Sequence, residues 1–131
     1  MKFRLRFRDD SPWEVVDQAE VEPVFMYDED EDFDIGRVGD TDVWRTYIFD
    51  VKKKKHLPNT LWHSRSMLLA EVAKEDFNVL LYEGWRGTLF RKGKKYRVEV
   101  RYCGRPAYVL GKLPPIHPPP YLALLDHCNF T

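Results

Sequence analysis

The chain is poor in the features that mark secreted, membrane-spanning or nucleotide-dependent proteins. Its two cysteines, Cys103 and Cys128, are too few and too far apart for a disulfide framework. No apolar run approaches the roughly 20 residues of a membrane-spanning helix, and residues 2–8 alternate where a signal peptide would be continuously apolar. The seven glycines are dispersed and form no phosphate-binding loop. These absences predict a cytoplasmic protein with reduced thiols, no membrane association and no cofactor.

Metal-binding and catalytic motifs are also missing from the sequence. The histidines and cysteines show neither C-x-x-C nor H-x-x-x-H spacing. A calcium loop starting at Asp30 would need glycine and glutamate where Ile35 and Thr41 stand. Ser64 and Ser66 lack the glycine pattern of a nucleophile elbow, and we expect both on a solvated helix face. The sequence therefore predicts no metal site and no enzymatic activity.

Length and composition indicate one globular domain with a tail. The 131 residues are 44% hydrophobic and 15% aromatic, which is enough for a hydrophobic core without disulfides or structural metal. Residues 113–120 contain five prolines and should adopt polyproline II conformation. We therefore predict a single domain over residues 1–113 and a proline-rich tail over 114–131. Residues 121–125 are apolar enough to dock that tail on the domain.

Charge is divided unevenly along a chain whose formal net charge is zero. Residues 9–50 contain 15 acids and two bases, whereas residues 51–113 contain 15 bases and five acids. Two interpretations stay open. The segments neutralise each other across a shared sheet, or they form two oppositely charged binding faces.

Residues 77–110 resemble an antiparallel meander around which the rest of the chain is organised. The glycines of Lys92-Gly93 and Gly104-Arg105 stand where two-residue hairpin turns need a positive φ. The predicted strands cover residues 77–82, 86–91, 95–103 and 106–110. In the third strand, Tyr96, Val98, Val100 and Tyr102 share one face and charged residues share the other, which predicts a half-buried strand with a basic outer face.

The remaining segments complete an α+β fold. Ser11-Pro12-Trp13-Glu14 has the pattern of a capping box, which predicts a short N-terminal helix ending near Glu20. Apolar spacing predicts an amphipathic helix over residues 61–74, packed on the sheet. Strands are predicted over residues 2–8, 23–27 and 43–51, with an exposed acidic loop over 28–42.

We thus expect a single antiparallel sheet of six to seven strands. The order of its first six elements matches the ferredoxin-like βαββαβ arrangement. The expected core residues are those whose local period points inward: Phe3, Leu5, Phe7, Tyr47, Phe49, Leu68, Leu69, Val72, Val79, Leu81, Val98 and Val100.

The first functional hypothesis concerns the acidic run. A dense row of carboxylates can imitate a nucleic-acid backbone and compete for the basic groove of a nucleic-acid-handling protein, as small phage or mobile-element inhibitors do. The chain would then be a non-enzymatic interaction protein that inhibits or regulates this partner. The predicted partner-binding residues are Asp28, Glu29, Asp30, Glu31, Asp32 and Asp34.

The alternative hypothesis is a nucleic-acid-binding module that uses the basic meander. Its candidate residues are Lys52, Lys53, Lys54, Lys55, Arg91, Lys92, Lys94, Lys95, Arg97 and Arg101. Single-strand binders also need aromatic rings beside the basic groups, yet alternation turns Tyr96 and Tyr102 away from Arg97 and Arg101. Trp85 and Phe90 stay as candidate stacking residues, although a core position suits Phe90 better.

A third hypothesis concerns the tail. Pro118-Pro119-Pro120-Tyr121 fits the P-P-x-Y pattern that WW domains bind in polyproline II conformation. Pro118, Pro119 and Tyr121 would be the residues that a WW-type partner recognises. This hypothesis requires Tyr121 to be free of the domain.

Overall fold

The computed structural model describes residues 12–28, 31–52 and 57–121, which contain five strands and one helix. The elements are β1 (Glu14–Phe25), β2 (Asp34–Val38), β3 (Val43–Val51), α1 (Leu57–Ala73), β4 (Val79–Lys92) and β5 (Lys95–Leu110). All strand pairs are antiparallel and belong to one sheet, so the predicted α+β class is confirmed. The strand predicted over residues 2–8 lies outside the described residues.

The long strand β5 organises the sheet. It pairs along one side with β4, which in turn pairs with β1. Its other side is shared by two shorter strands: β3 pairs with residues 96–104 and β2 with residues 107–110. At about 3.4 Å per residue a strand of 16 residues spans roughly 50 Å, which leaves room for two strands end to end.

The prediction of an N-terminal helix is wrong, because the segment after Trp13 is strand β1. Its residues pair with β4 from Glu14, opposite Arg91, to Phe25, opposite Tyr82. The segment is rich in valine, and β-branched residues favour an extended chain packed on a neighbour. Pairing across the whole strand outweighs a local capping pattern. The ferredoxin-like order is therefore wrong as well, since the described elements run β-β-β-α-β-β.

The region predicted as a four-stranded meander consists of only two long strands, β4 and β5. The sheet therefore has five strands in the described residues rather than six or seven. Gly93 does form the expected turn, with a φ of 62°. Gly84 and Gly104, however, lie inside β4 and β5. A β-carbon at Gly104 would lie 2.8 Å from Leu80 Cδ2, and one at Gly84 would lie 2.7 Å from the backbone nitrogen of Pro23. These glycines permit close approach of a neighbour and do not reverse the chain.

Strand β2 lies within the stretch predicted to be an exposed loop. All five of its residues are exposed, as expected of that acidic stretch. The backbone is nevertheless paired, with Ile35 opposite Val109 and Val38 opposite Ala107. The guanidinium of Arg37 fixes the strand to the turn that follows α1 by a 2.9 Å hydrogen bond to the carbonyl of Glu75. Backbone pairing thus orders a segment that buries almost no side chain.

Helix α1 packs on one face of the sheet and buries the main core. It begins at Leu57 rather than Leu61 and includes Pro58 in its first turn. Proline is tolerated there because N–H groups of the first turn have no hydrogen-bond acceptor within the helix. Predicted core residues that are buried are Leu68, Val72, Val79, Leu81, Val98 and Val100. Tyr47, Phe49 and Leu69 are partly buried against this core, and Phe3, Leu5 and Phe7 lie outside the described residues. The sequence prediction missed Leu80 and Leu89 as core residues, and its suggestion of Trp85 as a stacking residue is wrong, because all three are at most 1% exposed.

A second, smaller cluster surrounds Tyr27, where the start of the tail lies against the body. The imidazole of His117 contacts the ring of Tyr27, with 4.8 Å between ring centroids. The indole nitrogen of Trp85 donates a 2.9 Å hydrogen bond to the carbonyl of Pro120. The buried residues of the cluster are Tyr27, Val79, Leu81, Ala107 and Val109. In the part of the chain that is described, no helix is long and apolar enough to cross a membrane.

Candidate nucleic-acid interface

The face of the sheet opposite α1 carries no helix within the described ranges, and we call it the open face. Residues paired across antiparallel strands share a face, so the pairing of Asp50 with Arg97 and of Glu20 with Arg86 defines its members. The open face consists of Val15, Gln18, Glu20, Trp44, Thr46, Ile48, Asp50, Arg86, Thr88, Phe90, Arg97, Glu99 and Arg101. Several are apolar yet exposed: Val15 and Ile48 at 58% and Trp44 at 41%.

Two tryptophan–arginine pairs stand on this face. The guanidinium carbon of Arg97 lies 4.4 Å from the ring centre of Trp13, and that of Arg101 lies 4.7 Å from the ring centre of Trp44. Since the two arginines are four residues apart on β5, their backbones are about 13 Å apart on one face. The aromatic rings that a basic strand needs for stacking therefore come from other segments, Trp44 from β3 and Trp13 from the residues before β1.

The two arginines differ in their ion pairs. Arg97 donates to a carboxylate oxygen of Asp50 at 3.0 Å. Arg86, on the neighbouring strand, pairs with Glu20. Arg101 has no ion pair among the described residues, so its guanidinium retains donors for a ligand.

A basic groove adjoins Trp13 at the end of the β4–β5 hairpin. Its volume is about 490 Å³. The lining residues are Trp13, Asp50, Val51, Lys52, Lys94, Lys95, Tyr96 and Arg97. The three lysines form no ion pair within the described chain, so the groove is electropositive and bordered by two aromatic rings. This is the combination expected of a site that binds phosphate and stacks a base.

The predicted basic residues thus divide into two sets. Lys52, Lys94, Lys95 and Arg97 meet in the groove, and Arg101 lies on the same face. Arg91 pairs with Glu14 at 3.3 Å and stands opposite Tyr96, on the other side of the sheet. Lys92 lies on the hairpin opposite Lys95. The candidates Lys53, Lys54 and Lys55 lie outside the described residues.

The acidic run does not form a continuous row in its described part. Asp28, Asp32 and Asp34 are exposed. Glu31 is instead turned toward the tail, with its carboxylate 3.6 Å from His117 Nε2. The remaining two candidates, Glu29 and Asp30, lie outside the described residues.

The P-P-x-Y motif of the tail is docked. Pro118 and Tyr121 are exposed, but Pro119 and Pro120 are buried. Tyr121 has a φ of 53°, which departs from polyproline II conformation. A WW domain could bind this motif only after the tail had left Trp85, so the WW hypothesis stays a prediction that requires undocking.

A buried ion pair joins α1 to the sheet. Arg65 donates two hydrogen bonds to the Glu83 carboxylate, at 2.7 and 3.1 Å, and the Tyr102 hydroxyl donates a third at 2.6 Å. Burial raises the pKa of Tyr102, and the charge of Glu83 adds to this shift. Burial opposes the charge of Arg65, but the hydrogen bond and charge of Glu83 outweigh it, so the Arg65 pKa is raised. These groups satisfy one another and fix the core.

The same stretch of α1 corrects a prediction about Ser64. Its side chain is fully buried and donates a 2.7 Å hydrogen bond to the carbonyl of Thr60, so it is not solvated. Ser66 is exposed, as expected. The helix therefore buries a mixed polar and apolar stripe, in which Ser64 and Arg65 lie between Leu61 and Leu68.

Other reactive groups offer little further chemistry. Cys103 is a free, buried thiol, and burial raises its pKa to about 11. Across residues 12–28, 31–52 and 57–121, no three histidine, cysteine or acidic side chains are grouped to hold a metal ion.

Comparisons of this chain with models of known protein families, with curated proteins and with solved structures found no match.

Proposed function

We propose that this protein binds single-stranded nucleic acid on the open face of its sheet, without catalysing a reaction on it. The observation that carries the proposal is the pair of tryptophan–arginine contacts beside a groove that contains three lysines. Aromatic rings stack on bases of any sequence, and cationic side chains follow the phosphate backbone. Both components are needed, and on this face they occur together.

The arrangement suits a single strand better than a duplex. Bases are available for stacking only where they are unpaired. The half-buried ring of Trp13 and the exposed ring of Trp44 lie on a sheet surface and not on a helix that could enter a groove. Lys52, Lys94 and Lys95 would contact phosphates, and Arg101 would contact a phosphate or a base edge. Phosphate contacts carry no sequence information, so most of this affinity would be independent of sequence.

The acidic decoy, which the sequence alone favours, becomes the second candidate. Its support is the exposure of Asp28, Asp32 and Asp34. The inward position of Glu31 reduces the number of carboxylates that a basic groove could contact at once. A partner bound through this acidic run would be a protein. The two candidate functions therefore predict different captures from an extract by the immobilised chain: a protein for the acidic decoy and a nucleic acid for the open face.

Fluorescence anisotropy with labelled oligothymidine and oligouridine strands tests the proposal. The double variant Trp13→Ala/Trp44→Ala should bind about 30-fold or more weakly, because stacking contributes about 1–3 kcal/mol per base. Trp62→Ala is the matched control: Trp62 is an exposed tryptophan on α1, on the other side of the sheet. It should bind like the wild type.

Two results would count against the proposal. Equal loss of affinity in the Trp62 control would show that the effect is not specific to the open face. Absence of binding to any strand at low salt would overturn it, and a variant with Asp28, Asp32 and Asp34 changed to Asn would then be used to test protein capture.

A further inference from the structure

A cleft on the open face lies beside the irregular stretch of β1 between Val21 and Val24. Its volume is about 320 Å³, and its lining residues are Glu20, Val21, Glu22, Pro23, Trp44, Trp85, Arg86 and Arg101. Gly84 pairs with Cys103, and Cys103 pairs with Trp44 on its other side. The glycine is required here, because a β-carbon would lie 2.7 Å from the nitrogen of Pro23. The backbone of β1 therefore covers Gly84, and the cleft is bordered by residues of β1, β3, β4 and β5, with Trp44 among them.

The polar groups of the cleft are not all used. Arg86 and Glu20 pair with each other. The side chains of Glu22 and Arg101 have no hydrogen-bond or ion-pair partner in the described residues. Glu22 belongs to β1 and Arg101 to β5, with β4 between them. Because Glu20 is in register with Arg86 and Arg101, Glu22 is offset by two residues along the strand, and its backbone lies about 12 Å from that of Arg101. A carboxylate and a guanidinium thus border the cleft from two different strands.

Resting on the nucleic-acid function proposed above, we infer that this cleft binds one unstacked guanine base. Guanine presents two N–H donors, N1 and N2, on its Watson–Crick edge, and two acceptors, O6 and N7, on its major-groove edge. The first edge suits the carboxylate of Glu22, and the second suits the fork of Arg101. Trp44 would stack on the ring.

The other bases match less well. Thymine and uracil have one ring N–H and no amino group, so they cannot donate twice to a carboxylate. Adenine has one amino group between two ring acceptors. Cytosine has its donor and acceptors on a single edge, which cannot face two sides of a cleft at once. Guanine alone pairs two donors with two acceptors on a separate edge.

Anisotropy with a thymidine strand that carries one central guanine tests this inference. It should bind about tenfold more tightly than thymidine alone, the discrimination of one good bidentate contact. Inosine, which lacks the N2 amino group, and 7-deazaguanine, which lacks N7, should each lose most of that gain. Ribose and deoxyribose strands should show the same preference, since the contacts are made to the base.

Glu22→Gln should remove the guanine preference and leave affinity for the thymidine strand within about twofold. Glu99→Gln is the matched control, because it removes one negative charge from the open face outside the cleft. It should keep the preference.

The possible failures are distinguishable. Equal binding of guanine-containing and thymidine strands would overturn the guanine cleft and leave the proposed function standing. No binding of either strand would overturn both. A preference that survives Glu22→Gln would contradict the assignment of Glu22, and a preference that occurs with only one sugar would contradict recognition through the base.

Discussion

Alternate residues of β5 face two environments, which differ in whether their charges are buried and paired. On the side of α1, Val98, Val100 and Tyr102 are at most 1% exposed, and the buried charges there, Arg65 and Glu83, neutralise each other. On the open face, arginines and carboxylates alternate with exposed apolar side chains, and Arg101 has no ion pair in the described chain. Over residues 97–102, β5 therefore gives one set of residues to a packed core and the other set to a more exposed surface, whereas Cys103, Ala107 and Val109 of the second set are buried farther along the strand.

This difference separates the residues that hold the fold from those available to a ligand. A buried charge that loses its partner cannot recover the hydration it gave up, whereas an exposed charge can. Substitutions on the α1 side should therefore act on stability, and substitutions on the open face should act on binding. Matched variants on the two sides test this separation.

The largest effect is expected from Arg65→Met. It leaves the Glu83 carboxylate buried with the Tyr102 hydroxyl as its remaining hydrogen-bond donor, and should lower the free energy of unfolding by about 3–5 kcal/mol. Arg101→Met removes the same charge from the open face and should change it by less than about 0.5 kcal/mol. Urea unfolding followed by circular dichroism measures both.

The double variant Arg65→Met/Glu83→Gln distinguishes the effect of an unpaired buried charge from the effect of altered side-chain packing. The side-chain amide that replaces the Glu83 carboxylate carries no charge, and its oxygen can still accept the hydrogen bond from Tyr102. We therefore expect the double variant to recover much of the stability that Arg65→Met loses. An Arg65→Met protein that unfolds like the wild type would contradict the buried ion pair.

The next effect concerns apolar residues. Leu68 is fully buried under the sheet, and Leu68→Ala should cost about 2–4 kcal/mol from lost transfer free energy and a residual cavity. Ile48 lies on the open face at 58% exposure, and Ile48→Ala should stay within about 0.5 kcal/mol of the wild type. Similar losses in the two variants would show that the open face is covered in solution.

The sequence was most informative where a pattern acts over a few residues. Strand β3 has the predicted bounds, and the alternation of β5 correctly assigned Val98 and Val100 to the core. Glycine was less informative. Gly93 forms a turn, whereas Gly84 and Gly104 lie in strands beside a close neighbour, and only the partner strand distinguishes these uses.

The candidate site could be predicted only in part. The basic residues are visible in the sequence, but their aromatic partners are set by pairing between distant strands. Trp44 reaches Arg101 because β3 pairs with β5 in a register that no local pattern specifies. The same holds for β1, whose capping pattern is overridden by its pairing with β4.

Alkaline pH should weaken the α1 side and the cluster around Tyr27. Burial, and then the charge of Glu83, raise the pKa of Tyr27 to about 12, above its ordinary value of 10.0. The folded state therefore favours the neutral phenol. Its stabilising contribution is complete below pH 10 and is lost as the pH rises toward 12. The urea midpoint should fall over this window.

Tyr27→Phe should make that fall shallower, because phenylalanine has no proton to lose. The dependence of the urea midpoint on pH that remains in this variant is due partly to Tyr102, because burial also raises the pKa of Tyr102. An equally steep fall in the variant would show that Tyr27 does not couple folding to pH.

The smallest effect is expected from removing two lysines of the basic groove, which tests whether the charge of the open face contributes to binding. Lys94→Gln/Lys95→Gln should leave stability unchanged, because both lysines are exposed, and should reduce the dependence of binding on salt. For a single strand, each phosphate contact contributes about 0.7 to the slope of log affinity against log salt concentration, so the slope should fall by about 1.4. Lys74→Gln/Lys112→Gln removes the same charge from exposed lysines outside the groove and should leave the slope near the wild-type value. An equal fall in both variants would mean that overall charge, and not the groove, attracts the strand.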